Sequence, residues 1–178
     1  MNIANKLTLF RIFLVPIFIA SLLILGINNI LGFLIFVVAS LTDMLDGHLA
    51  RSRNLVTTFG KFMDPLADKL LVIAALTSMI EVNLVPAWIV IIIVARELAV
   101  SIMRAIAAAE GKVIAAGSSG KLKTVTQMFA IIFLLLGAHM GPGVFKTIGG
   151  VLIYIAAILT LYSGYEYFYA NRKLFSDM

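Results

Sequence analysis

The chain has no cysteine among its 178 residues, so a disulfide framework, a thiolate metal site and a cysteine nucleophile are all excluded. Charge is scarce as well. Only 13% of residues are Asp, Glu, Lys or Arg, against about 25% in a typical soluble domain. So few charges cannot solvate the surface of a globular domain, and they exclude a disordered chain, a coiled coil and a nucleic-acid binder. There is no internal repeat or low-complexity tract of the kind that marks transporters built from inverted halves. The first apolar run has no small-residue cleavage site and reads as a retained helix rather than a signal peptide.

Apolar residues dominate what is present. The chain is 62% hydrophobic, with a mean hydropathy of +1.07. At about 20 apolar residues per span, its length allows on the order of six helices joined by short loops. Turn residues divide it accordingly, at Asn28-Asn29, at 52–58, from Asn83 to Pro86, at 110–120 and at Gly141-Pro142-Gly143. The spans between them are 8–26, 30–51, 59–82, 87–109, 121–140 and 144–170. Their uninterrupted apolar runs favour helices over barrel strands, which would alternate. The expectation is an all-α, polytopic integral membrane protein with residues 1–178 forming one domain.

Six spans bring both termini to one side, together with the loops after spans two and four. Lys6, Arg11, Arg51, Arg53, Lys61, Lys112, Lys121, Lys123, Arg172 and Lys173 all lie at or near that side, whereas the opposite ends offer Lys146. By the positive-inside rule that side, with both termini, is cytoplasmic. Trp88, Tyr162, Tyr165, Tyr167 and Tyr169 read as interfacial anchors, His139 as interfacial at the far end, and His48 as a polar packing residue.

The placement of the acids carries the chemistry. Asp43 and Asp46 fall near the cytoplasmic end of span two, Asp64 and Asp68 near the cytoplasmic start of span three. Spacings of three and four put each pair on one helix face. At 1.5 Å per residue, Asp43 and Asp68 lie roughly 12–13 Å inside their span ends and Asp46 and Asp64 about 7 Å, so the pairs face each other at matched depths. Carboxylates inside a membrane are costly and are functional candidates by default. Four of them in one cleft repel unless cations compensate, and two divalent ions neutralise four negative charges. All-oxygen ligands suit Mg²⁺ or Mn²⁺, and a pair of such ions suits phosphoryl transfer. Gly47, Ala50 and Gly60 thin the wall beside the acids, where a base or diphosphate could approach the backbone. Pro65 sits where a first-turn proline is tolerated.

These residues compose the pattern D-x2-D-G-x2-A-R-x8-G-x3-D-x3-D, filled by Asp43, Asp46, Gly47, Ala50, Arg51, Gly60, Asp64 and Asp68. The pattern resembles the signature of the CDP-alcohol phosphotransferase family. The resemblance implies a six-helix membrane enzyme, a homodimer, that displaces CMP from a CDP-linked lipid with two metal ions. It implies that Asp43, Asp46, Asp64 and Asp68 are the metal ligands and that Asp68 is also the general base. Asp46, Gly47, Ala50, Arg51 and Gly60, with Asn5 and Thr8 of the first span, would bind the donor.

On span four, Arg96, Glu97, Val100 and Arg104 fall within about 100° of arc and form a polar stripe. Lys121 and Lys123 open span five. Arg104 and Lys121, then Arg96 and Lys123, are candidates to hold a phosphomonoester; cytoplasmic anchoring is the competing reading for the two lysines and a structural pair with Glu97 the competing reading for Arg96, though an arginine at that depth is expensive for packing alone. The segments N-K-L-T-L-F-R (5–11), A-R-E (95–97), G-K-L-K-T (120–124) and S-G-Y-E-Y (163–167) are similar to one branch of the same family. That likeness implies CDP-diacylglycerol as donor, sn-glycerol 3-phosphate as acceptor, and a bacterial cytoplasmic membrane with the site open to the cytoplasm. Sister enzymes that use inositol phosphate, serine or phosphatidylglycerol remain open, as do a cation or proton transporter and a catalytically dead membrane subunit. A transporter would not require the set Gly47, Ala50, Arg51 and Gly60, and a dead subunit would be expected to lack an aspartate.

Overall fold

A computed structural model describes residues 3–52, 58–109, 111, 114 and 117–172; the side chains of 3–8, 43–52, 58–65, 68 and 109 lie outside that description. The chain folds into six α-helices: α1 (Ile3–Leu25), α2 (Ile30–Ser52), α3 (Thr58–Glu81), α4 (Ala87–Ala109), α5 (Ser118–Met140) and α6 (Val144–Ala170). The expected spans thus reappear as helices, with α1 and α5 starting earlier than their apolar runs because polar residues occupy their first turns. Gly26 and Gly141 follow α1 and α5 with φ of 77° and 87°, a conformation that ends a helix at low cost in glycine.

Short connections make successive helices antiparallel, and contacts between distant segments fix the two ends of the bundle. At one end His139 Nδ1 lies 2.9 Å from the Asn28 carbonyl oxygen, joining the α1–α2 turn to the end of α5. At the other, Arg104 of α4 meets Tyr167 of α6. The core between them draws on every helix, with Phe18, Phe36, Leu76, Ile93, Ile131 and Ile153 buried in one continuous cluster. Arg11, one of the basic residues assigned above to the bundle edge, is completely buried.

The exterior is apolar. Phe13, Leu23, Ile91, Ile102, Val144, Ile158 and Leu161 are among the large hydrophobic side chains left exposed. Water does not favour such a surface, which is consistent with a membrane protein. Among the described residues, α5 and α6 are long and apolar enough to cross a membrane, and 9–25 and 30–42 form shorter apolar stretches. Three charges, Arg96, Glu97 and Arg104, interrupt α4. Hydroxyl side chains are mostly satisfied within their own helices: Ser40, Thr42, Ser78, Ser101, Thr126 and Thr160 each donate to the carbonyl four residues back.

Helices α5 and α6 pack closely, and two glycines permit it. A Cβ on Gly137 would lie 2.6 Å from the Lys146 nitrogen, and one on Gly149 would lie 2.8 Å from the Leu134 nitrogen. Both obstacles are backbone atoms, so a rotamer change cannot relieve them. Gly150, next in sequence, has nothing within 4 Å of its added Cβ. Gly149→Ala should therefore lower the thermal unfolding midpoint of the detergent-solubilised protein, at a cost of about 1–3 kcal/mol. Gly150→Ala should leave it unchanged or raise it, because alanine is the better helix former by about 1 kcal/mol. Equal midpoints for the two variants would contradict the close α5–α6 contact.

Candidate active site

The signature residues occupy one helical hairpin. Asp43, Asp46, Gly47, Ala50 and Arg51 lie on α2, and Gly60, Asp64 and Asp68 on α3. Counted from Ser52 and Thr58, Asp43 and Asp68 are about 14–15 Å along their helices and Asp46 and Asp64 about 9 Å. Their side chains lie outside the described residues, as do those of Asn5, Thr8 and His48. The donor set is uniform in chemistry, four carboxylates without thiol or imidazole at those pattern positions, and it suits hard divalent cations.

The second half of the site is built by α4, α5 and α6, where all four basic candidates are described. Lys123 is only 2% exposed and is ion-paired with Glu97, itself 21% exposed. Glu97 also receives a longer contact from Arg96, whose Nη1 lies 3.4 Å from Oε1. A buried ammonium requires such a counter-charge, since desolvation would otherwise favour its neutral form. Glu97 thus lies between the two cations and links α4 to α5 through its side chain.

Arg96 enters the seam between α5 and α6, and glycines give it room. A Cβ on Gly120 would come 3.5 Å from its Nη2, and one on Gly164 would come 3.2 Å from its Cγ. Its Nε is buried without a hydrogen-bond partner among the described residues. Two turns along α4, Arg104 donates from Nε to the Tyr167 hydroxyl at 3.2 Å, and its guanidinium carbon is 5.4 Å from the ring centroid. Val100, on the same stripe, is buried with Met103 and Tyr167. Lys121 is exposed on the first turn of α5, on a different face from Lys123. The structure therefore gathers Arg96, Glu97 and Lys123 into one cluster, sets Arg104 beside Tyr167, and leaves Lys121 outward.

Tyr167 differs from its neighbours. Tyr162, Tyr165 and Tyr169 are exposed, as an interfacial role requires, but Tyr167 is 7% exposed and partners Arg104. Three other polar residues had not been singled out from the sequence. Ser119 Oγ bonds the Glu166 carboxylate across α5–α6. Lys69 and Gln127 line a cleft of about 410 Å³, its mouth included, together with Leu76 of α3, Ile93 and Glu97 of α4, and Lys123 and Met128 of α5. Gln127 lies four residues after Lys123, so the buried lysine implies its inward direction.

An all-helical bundle with an apolar exterior, four acids along the α2–α3 hairpin and a basic cluster on α4–α6 suits an enzyme that works at a membrane. The model of the CDP-alcohol phosphatidyltransferase family matches residues 1–162, and the chain belongs to that family. It is 42% identical to a Bacillus subtilis protein named CDP-diacylglycerol--glycerol-3-phosphate 3-phosphatidyltransferase, over 96% of this chain and 95% of that one. A Rickettsia felis protein of the same name is 41% identical over 98% and 97% of the two chains. A Mycobacterium tuberculosis protein named as a probable phosphatidylglycerophosphate synthase is 38% identical over 93% of this chain and 79% of its own.

Glu97 makes the cluster energetically asymmetric. Glu97→Gln removes the carboxylate that pairs with the buried Lys123 and should destabilise the protein, by up to about 3–5 kcal/mol, the cost of breaking a buried pair. Adding Lys123→Met should recover part of that loss by removing the buried cation that Glu97 neutralises. Thermal unfolding of the single and double variants checks this. Additive losses would mean that the two side chains do not interact.

Proposed function

We propose that the protein transfers the phosphatidyl group from CDP-diacylglycerol to sn-glycerol 3-phosphate, producing phosphatidylglycerophosphate and CMP. The observation that carries this reading is the complete eight-residue signature on the α2–α3 hairpin, in a chain similar over nearly its whole length to proteins named for that reaction. The basic cluster on α4–α6 supports a phosphorylated acceptor.

In this reading residues 1–178 act as one transmembrane domain in the bacterial cytoplasmic membrane. Six spans place both termini, and the mouth of the site, on the cytoplasmic side, and two copies form a homodimer. The donor lies along α2 with Asn5 and Thr8 of α1, its diphosphate near Asp46, Gly47, Ala50, Arg51 and Gly60. Asp43, Asp46, Asp64 and Asp68 would hold two Mg²⁺ or Mn²⁺ ions. When bound, those ions neutralise the carboxylates and stabilise charge on the departing CMP.

The acceptor's phosphomonoester meets Arg104, Arg96 and Lys123, with Lys121, outward at the start of α5, reaching it from the mouth of the site, which leaves its primary hydroxyl free to point toward Asp68. Asp68 accepts the hydroxyl proton, the alkoxide oxygen bonds to the phosphatidyl phosphorus, and the bond from that phosphorus to the CMP oxygen breaks. Binding the acceptor through its phosphate orients the hydroxyl and converts a bimolecular encounter into a local one.

Release of CMP by the purified protein from CDP-diacylglycerol and glycerol 3-phosphate tests the reaction; no release with this acceptor, and release with inositol phosphate or serine, would reassign it to a sister activity. Chelation should abolish turnover and Mg²⁺ or Mn²⁺ restore it. Asp68→Asn should lose nearly all turnover while retaining CDP-lipid binding, and a substantial remaining kcat at saturating metal would exclude it as base. Arg104→Ala or Lys121→Ala removes a charge-assisted contact of about 1.5–3 kcal/mol, so the acceptor KM should rise roughly ten- to a hundredfold. An unchanged acceptor KM in both variants would make these residues structural.

A further inference from the structure

The cleft between α3, α4 and α5 contains a polar group that no described residue satisfies. Gln127 is 3% exposed, and its Oε1 is buried without a hydrogen-bond partner among the described residues. A buried carbonyl oxygen left unpaired is costly, and in native proteins it is met by water or ligand. The cleft is open at its mouth, and Gln127 lines it beside Lys123 and Thr124, so a polar group entering from that side can approach the amide.

Its position relates it to the reaction. Gln127 is nine residues into α5, about 13 Å from the helix start, and Asp68 is ten residues into α3, about 15 Å. The α3 wall of the cleft begins at Lys69, the residue after Asp68. Lys123, one turn before Gln127, lines the same cleft and belongs to the basic cluster. Beyond Gln127 the walls are apolar, with Leu76, Ile93 and Met128. A ligand held by its phosphate at the cationic end would therefore present its polyol end at the level of Gln127 and could extend little further without losing hydrogen bonds.

We propose that Gln127 is a specificity-determining residue whose side-chain oxygen accepts a hydrogen bond from the secondary hydroxyl of a three-carbon polyol phosphate acceptor. The assignment rests on the phosphatidyl-transfer reading above. An acceptor lacking that hydroxyl leaves Oε1 unpaired, and this is how a site discriminates against a deoxy analogue. The apolar floor disfavours acceptors that carry further hydroxyls beyond the third carbon.

The test compares sn-glycerol 3-phosphate with 3-hydroxypropyl phosphate, which keeps the phosphate and the primary nucleophile and lacks only the secondary hydroxyl. The wild-type protein should prefer glycerol 3-phosphate in kcat/KM by about five- to fiftyfold. Gln127→Leu, of similar volume and without hydrogen-bonding capacity, should bring that ratio close to one, mainly by raising the KM for glycerol 3-phosphate. CDP-lipid binding should be unchanged. Because the ratio is taken within one preparation, a smaller folded fraction does not alter it.

An unchanged ratio in Gln127→Leu overturns the proposal and leaves Oε1 to a buried water only. Gln127→Met, which keeps the side chain unbranched, gives the same readout if the leucine variant fails to insert. Loss of turnover with both acceptors in both variants, with donor binding intact, also counts against it, since a structural role would do that. Failure of the wild-type protein to use glycerol 3-phosphate at all would instead defeat the underlying reading of the reaction.

Discussion

A lysine ammonium almost wholly removed from solvent needs an anion, and Glu97 is the acid that meets Lys123. Much of the α4–α6 geometry follows from that requirement. Once Glu97 faces α5, the helical turn directs Arg96 toward the α5–α6 seam, where Gly120 and Gly164 leave space for it. Arg104 then comes level with Tyr167, three residues after Gly164. The Glu97–Lys123 pair and the Arg104–Tyr167 bond together favour one rotation of α4 against α5 and α6.

The two halves of the site are scaffolded differently. The acids belong to consecutive helices joined by a short connection, so their relative depth is set by local chain geometry. The basic residues come from helices separated in sequence, and tertiary contacts alone bring them together. Under the proposed reaction this division matches a fixed donor site and an acceptor site with its own recognition. The cleft that Lys69 shares with Glu97 and Lys123 begins one residue after Asp68 in sequence.

Most of the helical architecture was legible from the sequence because turn residues and uninterrupted apolar runs leave few alternatives. Gly26, Asn83 and Gly141 end or connect helices near where composition implied breaks. The stripe from Arg96 to Arg104 was legible too, since helical periodicity fixes a face. Periodicity does not name the partner across that face. It gave no means of knowing that Lys123 would be paired with Glu97, that Tyr167 would turn inward while Tyr165 and Tyr169 stay exposed, or that Arg11 would be buried. Gln127 carried a faint signal, four residues from a lysine already under suspicion, but an isolated amide in an apolar run gives no hint of its unpaired oxygen. The glycines at 137 and 149 posed the same problem, because a missing side chain does not reveal whose backbone fills the space.

The hydroxyl groups lead to a different conclusion about how the chain can change. Ser40, Thr42, Ser78, Ser101, Thr126 and Thr160 bond to their own helices and ask nothing of a neighbour. Such residues lower the polarity cost of a hydroxyl in an apolar setting without recording which helix lies alongside. Replacing one of them by alanine would break no hydrogen bond between helices. Ser119, which reaches from α5 to Glu166 on α6, is different. Helix identity in this bundle is encoded in a handful of groups that speak across an interface, and the remaining polar inventory is free to vary.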